Sequence, residues 1–234
     1  MDTGDAMFRE WDVYDRIGRG NYMRHREVST ALRDALRSRS GPLRILDLGC
    51  GDGWMSDQIL SGSLVAGYVG VDLSESALDR LSRRPCPGTR PGSARRNLVC
   101  GDVAGEVRGL PDRGFDVILA GYVLHHFPTA AKAPVLDDVV RLLNAGGWLL
   151  WTDLVQSAHE SREELIKRLA DDIDANWSAL EPDERRSAIE HMQNFDYPES
   201  ESWMIDQIEN RGVAFSRWLF HDEFYGTLLF QKPA

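Results

Sequence analysis

Leu43-Arg44-Ile45-Leu46-Asp47-Leu48-Gly49-Cys50-Gly51-Asp52-Gly53 is the stretch from which the rest of the chain is read. Leu43 to Leu48 is a short apolar run between Gly41-Pro42 and three alternate glycines, the pattern of a buried strand that turns into a helix. Without a Cβ, Gly49, Gly51 and Gly53 can take positive φ and let a small ligand lie against the backbone. The spacing is not the dinucleotide fingerprint G-x-G-x-x-G, because Trp54 stands where its third glycine belongs. Nor is it a P-loop, since no Gly-Lys-Ser/Thr follows the glycines.

Working outward, Tyr68-Val69-Gly70-Val71-Asp72-Leu73-Ser74 reads as a second strand ending in an acid. A carboxylate at such a strand end can accept both hydroxyls of a ribose, which gives Asp72 its role. Asn97-Leu98-Val99-Cys100-Gly101-Asp102-Val103 reads as a third short strand with its acid, Asp102, at the far end. Phe115-Asp116-Val117-Ile118-Leu119-Ala120-Gly121-Tyr122-Val123-Leu124-His125-His126-Phe127 is a fourth, and Trp148 to Asp153 a fifth. Helical spacing fills the intervals, with Ser74 capping one helix and Pro128 starting another. Strands alternating with helices predict a parallel sheet covered on both faces, with the loops gathered at one edge.

In this order, over roughly residues 40 to 155, the motifs resemble those of the class I S-adenosylmethionine-dependent methyltransferases of the small-molecule type. The resemblance implies an α/β fold, a Rossmann-like seven-stranded, mostly parallel sheet whose last strand is antiparallel, and S-adenosylmethionine as cofactor. It implies that Gly49, Cys50, Gly51 and Gly53 border the amino-acid end of the cofactor, and that Asp47 holds the loop and the ammonium group. It further places Asp72 and Leu73 at the ribose, Asp102 and Val103 at the adenine, and Ala120 on the strand that meets the cofactor from the other side.

Flanking segments complete the expected organisation: an amino-terminal helical lid (1–40), the core (41–155), a helical cap insertion (156–197), and a final helix with a β-hairpin (198–234). Residues 7 to 38 look helical, with Asn21 placed to cap the part that carries Val28, Leu32 and Leu36. Tyr14 and Tyr22 are expected to line the lid, and Arg26 or Arg24 to pair with the cofactor carboxylate. Within the cap, Ser161 to Trp177 and Pro182 to Phe195 read as charged helices with narrow apolar stripes. Trp177, His191, Asn194, Phe195 and Tyr197 are the candidates for an acceptor pocket. Glu199 to Asn210 reads as the next helix, and the strands Val213 to His221 and Glu223 to Phe230 as the hairpin.

Composition narrows the partners. At 234 residues and 42% hydrophobic, one domain with a large core is expected. A formal charge of −10 opposes binding to a phosphate backbone, so no nucleic-acid partner is expected. The basic cluster Arg83, Arg84, Arg90, Arg95 and Arg96 lies among prolines and glycines and reads as a solvated loop. No apolar run is long enough to span a membrane, and the acidic start lacks a signal-peptide core, so a cytoplasmic monomer or homodimer is expected. Cys50, Cys86 and Cys100 lack metal or disulfide spacing and read as free thiols.

For chemistry, His125 and His126 are the candidates, His126 being favoured as a general base or as the group that orients a small-molecule acceptor. Adjacent histidines do not readily share one ion and no further ligand spacing surrounds them, so no metal is expected. The Asn/Asp-Pro-Pro-aromatic signature of many DNA and amide-nitrogen methyltransferases is replaced by Ala120-Gly121-Tyr122-Val123. Two alternatives stay open on the same motifs. One is an enzyme that uses the cofactor differently, for example by cyclising it and releasing methylthioadenosine; the other is a cofactor-binding protein without catalysis.

Overall fold

A computed structural model describes residues 11–85 and 95–234. Strand β1 (Leu43–Leu48) lies near the middle of the sheet, because an apolar run buried on both faces is stable only between two neighbours. It pairs in parallel with β2 (Val65–Asp72), Leu48 opposite Val71, and with β4 (Phe115–Gly121), Leu48 opposite Ala120. Beyond β2 lies β3 (Arg95–Cys100), and beyond β4 lies β5 (Leu143–Gln156), both parallel. The hairpin of β7 (Ala214–His221) and β8 (Tyr225–Gln231) completes the order β3-β2-β1-β4-β5-β8-β7, with β8 antiparallel to β5. A two-residue strand, β6 (Glu199–Ser200), pairs with β5 off this path and makes an eighth. The seven-stranded, mostly parallel sheet with an antiparallel last strand that the resemblance implied is therefore present, with one short strand added.

The amino-terminal segment, expected to be helical over 7 to 38 with a cap at Asn21, consists of two helices, and residues 7–10 lie outside the described residues. Helix α1 (Trp11–Gly20) ends where Asn21 and Arg24 both take φ 59, and α2 (His25–Leu36) starts afresh. Such left-handed residues cannot continue a helix. The N-cap of α2 is Arg24, without a side-chain cap of its own, and not Asn21 as expected; Asn21, three residues earlier, still serves the helix start, its side-chain oxygen accepting the Arg26 N–H at 2.9 Å. Five core-flanking helices come next: α3 (Trp54–Ile59), α4 (Glu75–Arg83), α5 (Val103–Gly109), α6 (Thr129–Leu142) and, after the cap, α9 (Glu201–Glu209). The third strand is shorter than expected because Asp102 N-caps α5, accepting the Gly105 N–H at 3.1 Å. The fifth is longer, since residues 143–147 extend it.

The cap is α7 (Arg162–Asn176) and α8 (Pro182–Phe195), each begun by a capping box, Ser161 with Glu164 and Glu181 with Glu184. Its apolar stripe of Leu165, Leu169 and Ile173 joins Val13 and Ile17 of α1, Tyr122 and Tyr225 in one buried cluster. Arg16 pairs with Glu184, and Tyr22 stacks on Trp177 with ring centroids 5.1 Å apart. Lid and cap are thereby packed together over the carboxyl ends of β1, β4 and β5.

Of the basic cluster, Arg84 pairs with Asp52 at 2.7 Å, and Arg96 donates to the carbonyls of Leu81, Ser82 and Arg84. Arg90 and Cys86 lie outside the described residues, while Cys50 and Cys100 are free thiols, buried and exposed respectively. Among the described residues no helix is long and apolar enough to cross a membrane.

Candidate active site

Parallel strands bring the loops after β3, β2, β1, β4 and β5 side by side in that order, so Asp102, Asp72, the glycine loop, Tyr122 and Asp153 follow one another along one edge. The loop takes its shape from Gly49, Gly51 and Gly53, at φ 67, 54 and 75. Gly49 has a second constraint: a Cβ there would come within 2.8 Å of Val123, so the chain after β4 could not approach. Gly49 and Cys50 donate their N–H groups to the Val71 carbonyl at 2.9 and 3.1 Å, which fastens the loop to β2. The Gly51 N–H donates to Asp72 Oδ2 and the Ser74 N–H to Oδ1, each at 2.8 Å. Burial raises the Asp72 pKa against these two donors, and lone pairs remain on both oxygens for a further ligand.

Two cavities occupy this edge. The first is an open cleft of about 690 Å³, space open to solvent included, between α1, the start of α2 and the glycine loop, with Gly49, Cys50, Gly51, Trp54 and Gly121 in its wall. The second, about 570 Å³ on the same measure, lies under the cap, its wall made of apolar Ile17, Leu169, Ile173, Trp177 and Met192 together with polar His125, His126, His191 and Asp196. Tyr14 and Tyr122 belong to both walls. Tyr122 is fixed there by a hydrogen bond from its hydroxyl to the Met23 carbonyl, and burial pushes the Tyr14 pKa up to about 12, so that phenol is protonated.

A network of acids and imidazoles forms the polar corner of the second cavity. Asp153 accepts from the His125 ring, from the His125 N–H at 3.1 Å and from Trp151 Nε1 at 3.0 Å. Asp196 Oδ1 lies 3.1 Å from His126 Nδ1 and 3.7 Å from both His125 Nε2 and His191 Nε2. Burial alone would lower the His125 pKa, yet Asp153 and Asp196 outweigh it and hold the pKa above the ordinary imidazole value. Burial and then the neighbouring His125 hold His126 below that value, and burial pushes His191 down to about 4. His125, His126 and Asp196 also place one donor atom each within 4.8 Å of one another, a spread that a divalent cation could draw together. The expectation of no metal site rested on the adjacency of the two histidines and on the lack of further ligand spacing around them in the sequence, and it took no account of Asp196.

The expected cofactor residues divide into four groups. Tyr14, Gly49, Cys50 and Gly51 line the first cavity, while Asp72, Leu73 and Asp102 follow along the adjoining strand ends, Leu73 being 70% exposed. Asp47, Gly53, Val103 and Ala120 are packed away from the cavity wall. Asp47 stands behind the loop, accepting from Ser56 and from Tyr68 Oη at 2.6 Å, with burial raising its pKa to about 6. Ala120 is fully buried in β4, and Gly121 and Tyr122 meet the cavity in its place. Tyr22 and Arg26 are turned elsewhere: Tyr22 accepts the Ala179 N–H, and Arg26 donates to the Arg19 carbonyl at 2.7 Å. Arg24 pairs with Asp222 at 2.7 Å.

Of the acceptor-pocket candidates, Trp177 and His191 line the second cavity, and Asn194, Phe195 and Tyr197 do not. The residue that sequence reading missed is Asp196, which nothing in its surroundings marks, because its partners lie 70 positions away in β4's loop. Asp153 stood out only as an acid ending an apolar strand.

Comparison with known proteins places this geometry. Residues 46–149 match a family model described as a methyltransferase domain. Phthiotriol/phenolphthiotriol dimycocerosates methyltransferase 1 of Mycobacterium ulcerans is 33% identical over 114 residues, 47% of this chain and 37% of that protein. The demethylmenaquinone methyltransferase of Leptospira interrogans is 30% identical over 143 residues, 60% of this chain and 55% of that protein. The chain thus spans less than two thirds of either relative. Among solved structures, the Burkholderia thailandensis 1,6-didemethyltoxoflavin-N1-methyltransferase superposes with a TM-score of 0.61 at 17% identity, covering 98% of this chain and 89% of that one. At that identity the likeness is one of fold. The domain match falls on the segment from β1 to the start of β5 whose loops build the first cavity, and over that segment this chain is similar to methyltransferases.

Proposed function

We propose that the chain binds S-adenosylmethionine across the ends of β3, β2 and β1 and transfers its methyl group to an uncharged small molecule held in the second cavity. The observation that carries this reading is the wall shared by the two cavities, Tyr14 and Tyr122, with an acid-paired histidine just beyond it. The residues fit the cofactor. Asp72 keeps lone pairs for a ribose diol, exposed Leu73 offers an apolar face to adenine, and the glycine loop leaves bare backbone on the wall between them and α1. Bound here, S-adenosylmethionine supplies a methyl group on a sulfonium sulfur, which an acceptor atom can displace in line.

The chain's own task is then alignment and proton handling. Cap helices α7 and α8 shut an apolar acceptor against Tyr122, and holding two partners in line is worth up to about 7–11 kcal/mol. With His126 Nδ1 donating to Asp196, the lone pair of the neutral ring is on Nε2, and in this reading that nitrogen takes a proton from an acceptor hydroxyl or N–H. Asp196 stabilises the imidazolium that results. His125, clamped by Asp153 on its ring and backbone, positions this pair. Neither Lys nor Arg is among the described residues lining the second cavity, so an anionic acceptor would meet no counter-charge there.

The test is mass spectrometry after incubation with S-(methyl-d3)-adenosylmethionine and a metabolite extract of the source cells. The expected result is a product carrying CD3 in place of one hydrogen, together with S-adenosylhomocysteine. Release of methylthioadenosine, or binding without turnover, would overturn the reading in favour of one of the two alternatives.

A further inference from the structure

The first cavity contains a buried polar side chain that the proposed reaction gives no task. His25 opens α2 and is 2% exposed, and its ring lies 5.2 Å from that of Tyr122, 5.9 Å from Trp54 and 6.4 Å from Tyr14. Its Nδ1 is enclosed and makes no hydrogen bond among the described residues. Buried polar groups are ordinarily paired, so an orphan on a cavity wall points to a partner that arrives with the ligand. Burial pushes the His25 pKa down to about 4, so the ring is neutral, with one donor and one acceptor nitrogen. The backbone is bent to deliver it: Asn21 and Arg24 both take φ 59, a left-handed conformation that most residues avoid, and the turn they make starts α2 at His25.

The ligand group that meets this ring follows from the strand order. With adenine at Asp102 and ribose at Asp72, the remaining third of the cofactor, its sulfonium and aminobutyrate tail, falls at the glycine loop and α1. The tail carries a carboxylate, and the cations first expected to meet it are committed elsewhere, Arg24 to Asp222 and Arg26 to the Arg19 carbonyl. The described cations on the wall, Arg19 and Arg80, are exposed, and Arg19 pairs with Asp15 at 2.7 Å. We propose that His25 donates a hydrogen bond to the α-carboxylate of S-adenosylmethionine and so fixes the direction in which the sulfonium faces the acceptor cavity. This assignment rests on the cofactor reading above.

Titration calorimetry with S-adenosylmethionine and with decarboxylated S-adenosylmethionine separates a carboxylate contact from general packing. The expected result is that His25→Phe weakens S-adenosylmethionine about 10- to 100-fold, the range of a hydrogen bond to a charged group, while the decarboxylated compound binds both proteins equally. His25→Gln, which keeps a side-chain N–H, should retain part of the preference and reads the same ratio if the Phe variant does not fold. Equal losses for the two ligands, an unchanged ratio, or loss of the preference in Arg80→Ala instead would overturn the assignment. Failure of wild-type protein to bind either ligand would overturn the cofactor reading itself, and the assignment with it.

Discussion

The two cavities are built in different ways. Nearly half of the residues lining the first come from one continuous turn, Gly49 to Met55, which the backbone itself shapes through three left-handed glycines and two N–H groups on the Val71 carbonyl. The second is assembled from α1, the loop after β4, the end of β5, α7 and α8, and its polar corner joins Asp153, His125, His126 and Asp196 mainly through their side chains. A ligand that every member of a fold family shares can be met by local backbone geometry. A ligand peculiar to one chain has to be met by packing among distant elements. Substitutions at the first cavity should therefore act on cofactor binding, and those at the second on turnover.

The largest effect is expected from His126→Ala, with kcat falling about 10²- to 10⁴-fold, the usual worth of a positioned base, while S-adenosylhomocysteine affinity stays within twofold. Steady-state rates on the acceptor identified with the deuterated cofactor, paired with calorimetry, check both halves. An equal loss in both would erase the division between the cavities. Next, Asp72→Ala should weaken S-adenosylhomocysteine at least about 100-fold in calorimetry, because hydrogen bonds to a charged acceptor contribute roughly 1.5–3 kcal/mol each. The Gly51 and Ser74 N–H groups would lose their acceptor in the same variant.

A smaller and more diagnostic change is expected from Asp196→Asn. Asp196 raises the proton affinity of His126 against burial and His125, which lower it. Removing the negative charge should move the acid limb of the kcat profile to lower pH and slow the plateau about tenfold, since a weaker base accepts the proton less readily. An acid limb that stays in place would detach Asp196 from the reacting pair. Smallest of all, Leu73→Ala should reduce S-adenosylhomocysteine affinity about threefold to tenfold, the loss of one apolar contact, and leave the melting temperature unchanged because the side chain is 70% exposed.

What the sequence made legible follows the same division. The strand order, the glycine loop and the ends of the β-hairpin are carried by short-range patterns: apolar runs, glycines at fixed offsets, and acids where a strand stops. Those patterns also placed α7 and α8 to within a residue or two. Side-chain destinations were harder to read. Arg24 and Arg26 were reasonable carboxylate ligands by composition, but Asp222 approaches Arg24 only once the β7–β8 hairpin is in place, and the break at Asn21 turns Arg26 outward. Asp47, expected to help hold the loop and the ammonium group, shows a related effect. Its partners Ser56 and Tyr68 come from α3 and β2, and together they draw it behind the loop. Asp196 had no signal because a lone acid after a charged helix resembles any other solvated residue until the cap folds onto His126.

A crystal structure of the protein with S-adenosylhomocysteine tests the central claim, one ligand laid across successive strand ends with its sulfur at the Tyr14–Tyr122 wall. The expected result is ribose on Asp72, adenine against Leu73 near Asp102, and sulfur between the two tyrosines facing His126. A ligand seated wholly beneath the cap, or one whose sulfur points away from the second cavity, would contradict it.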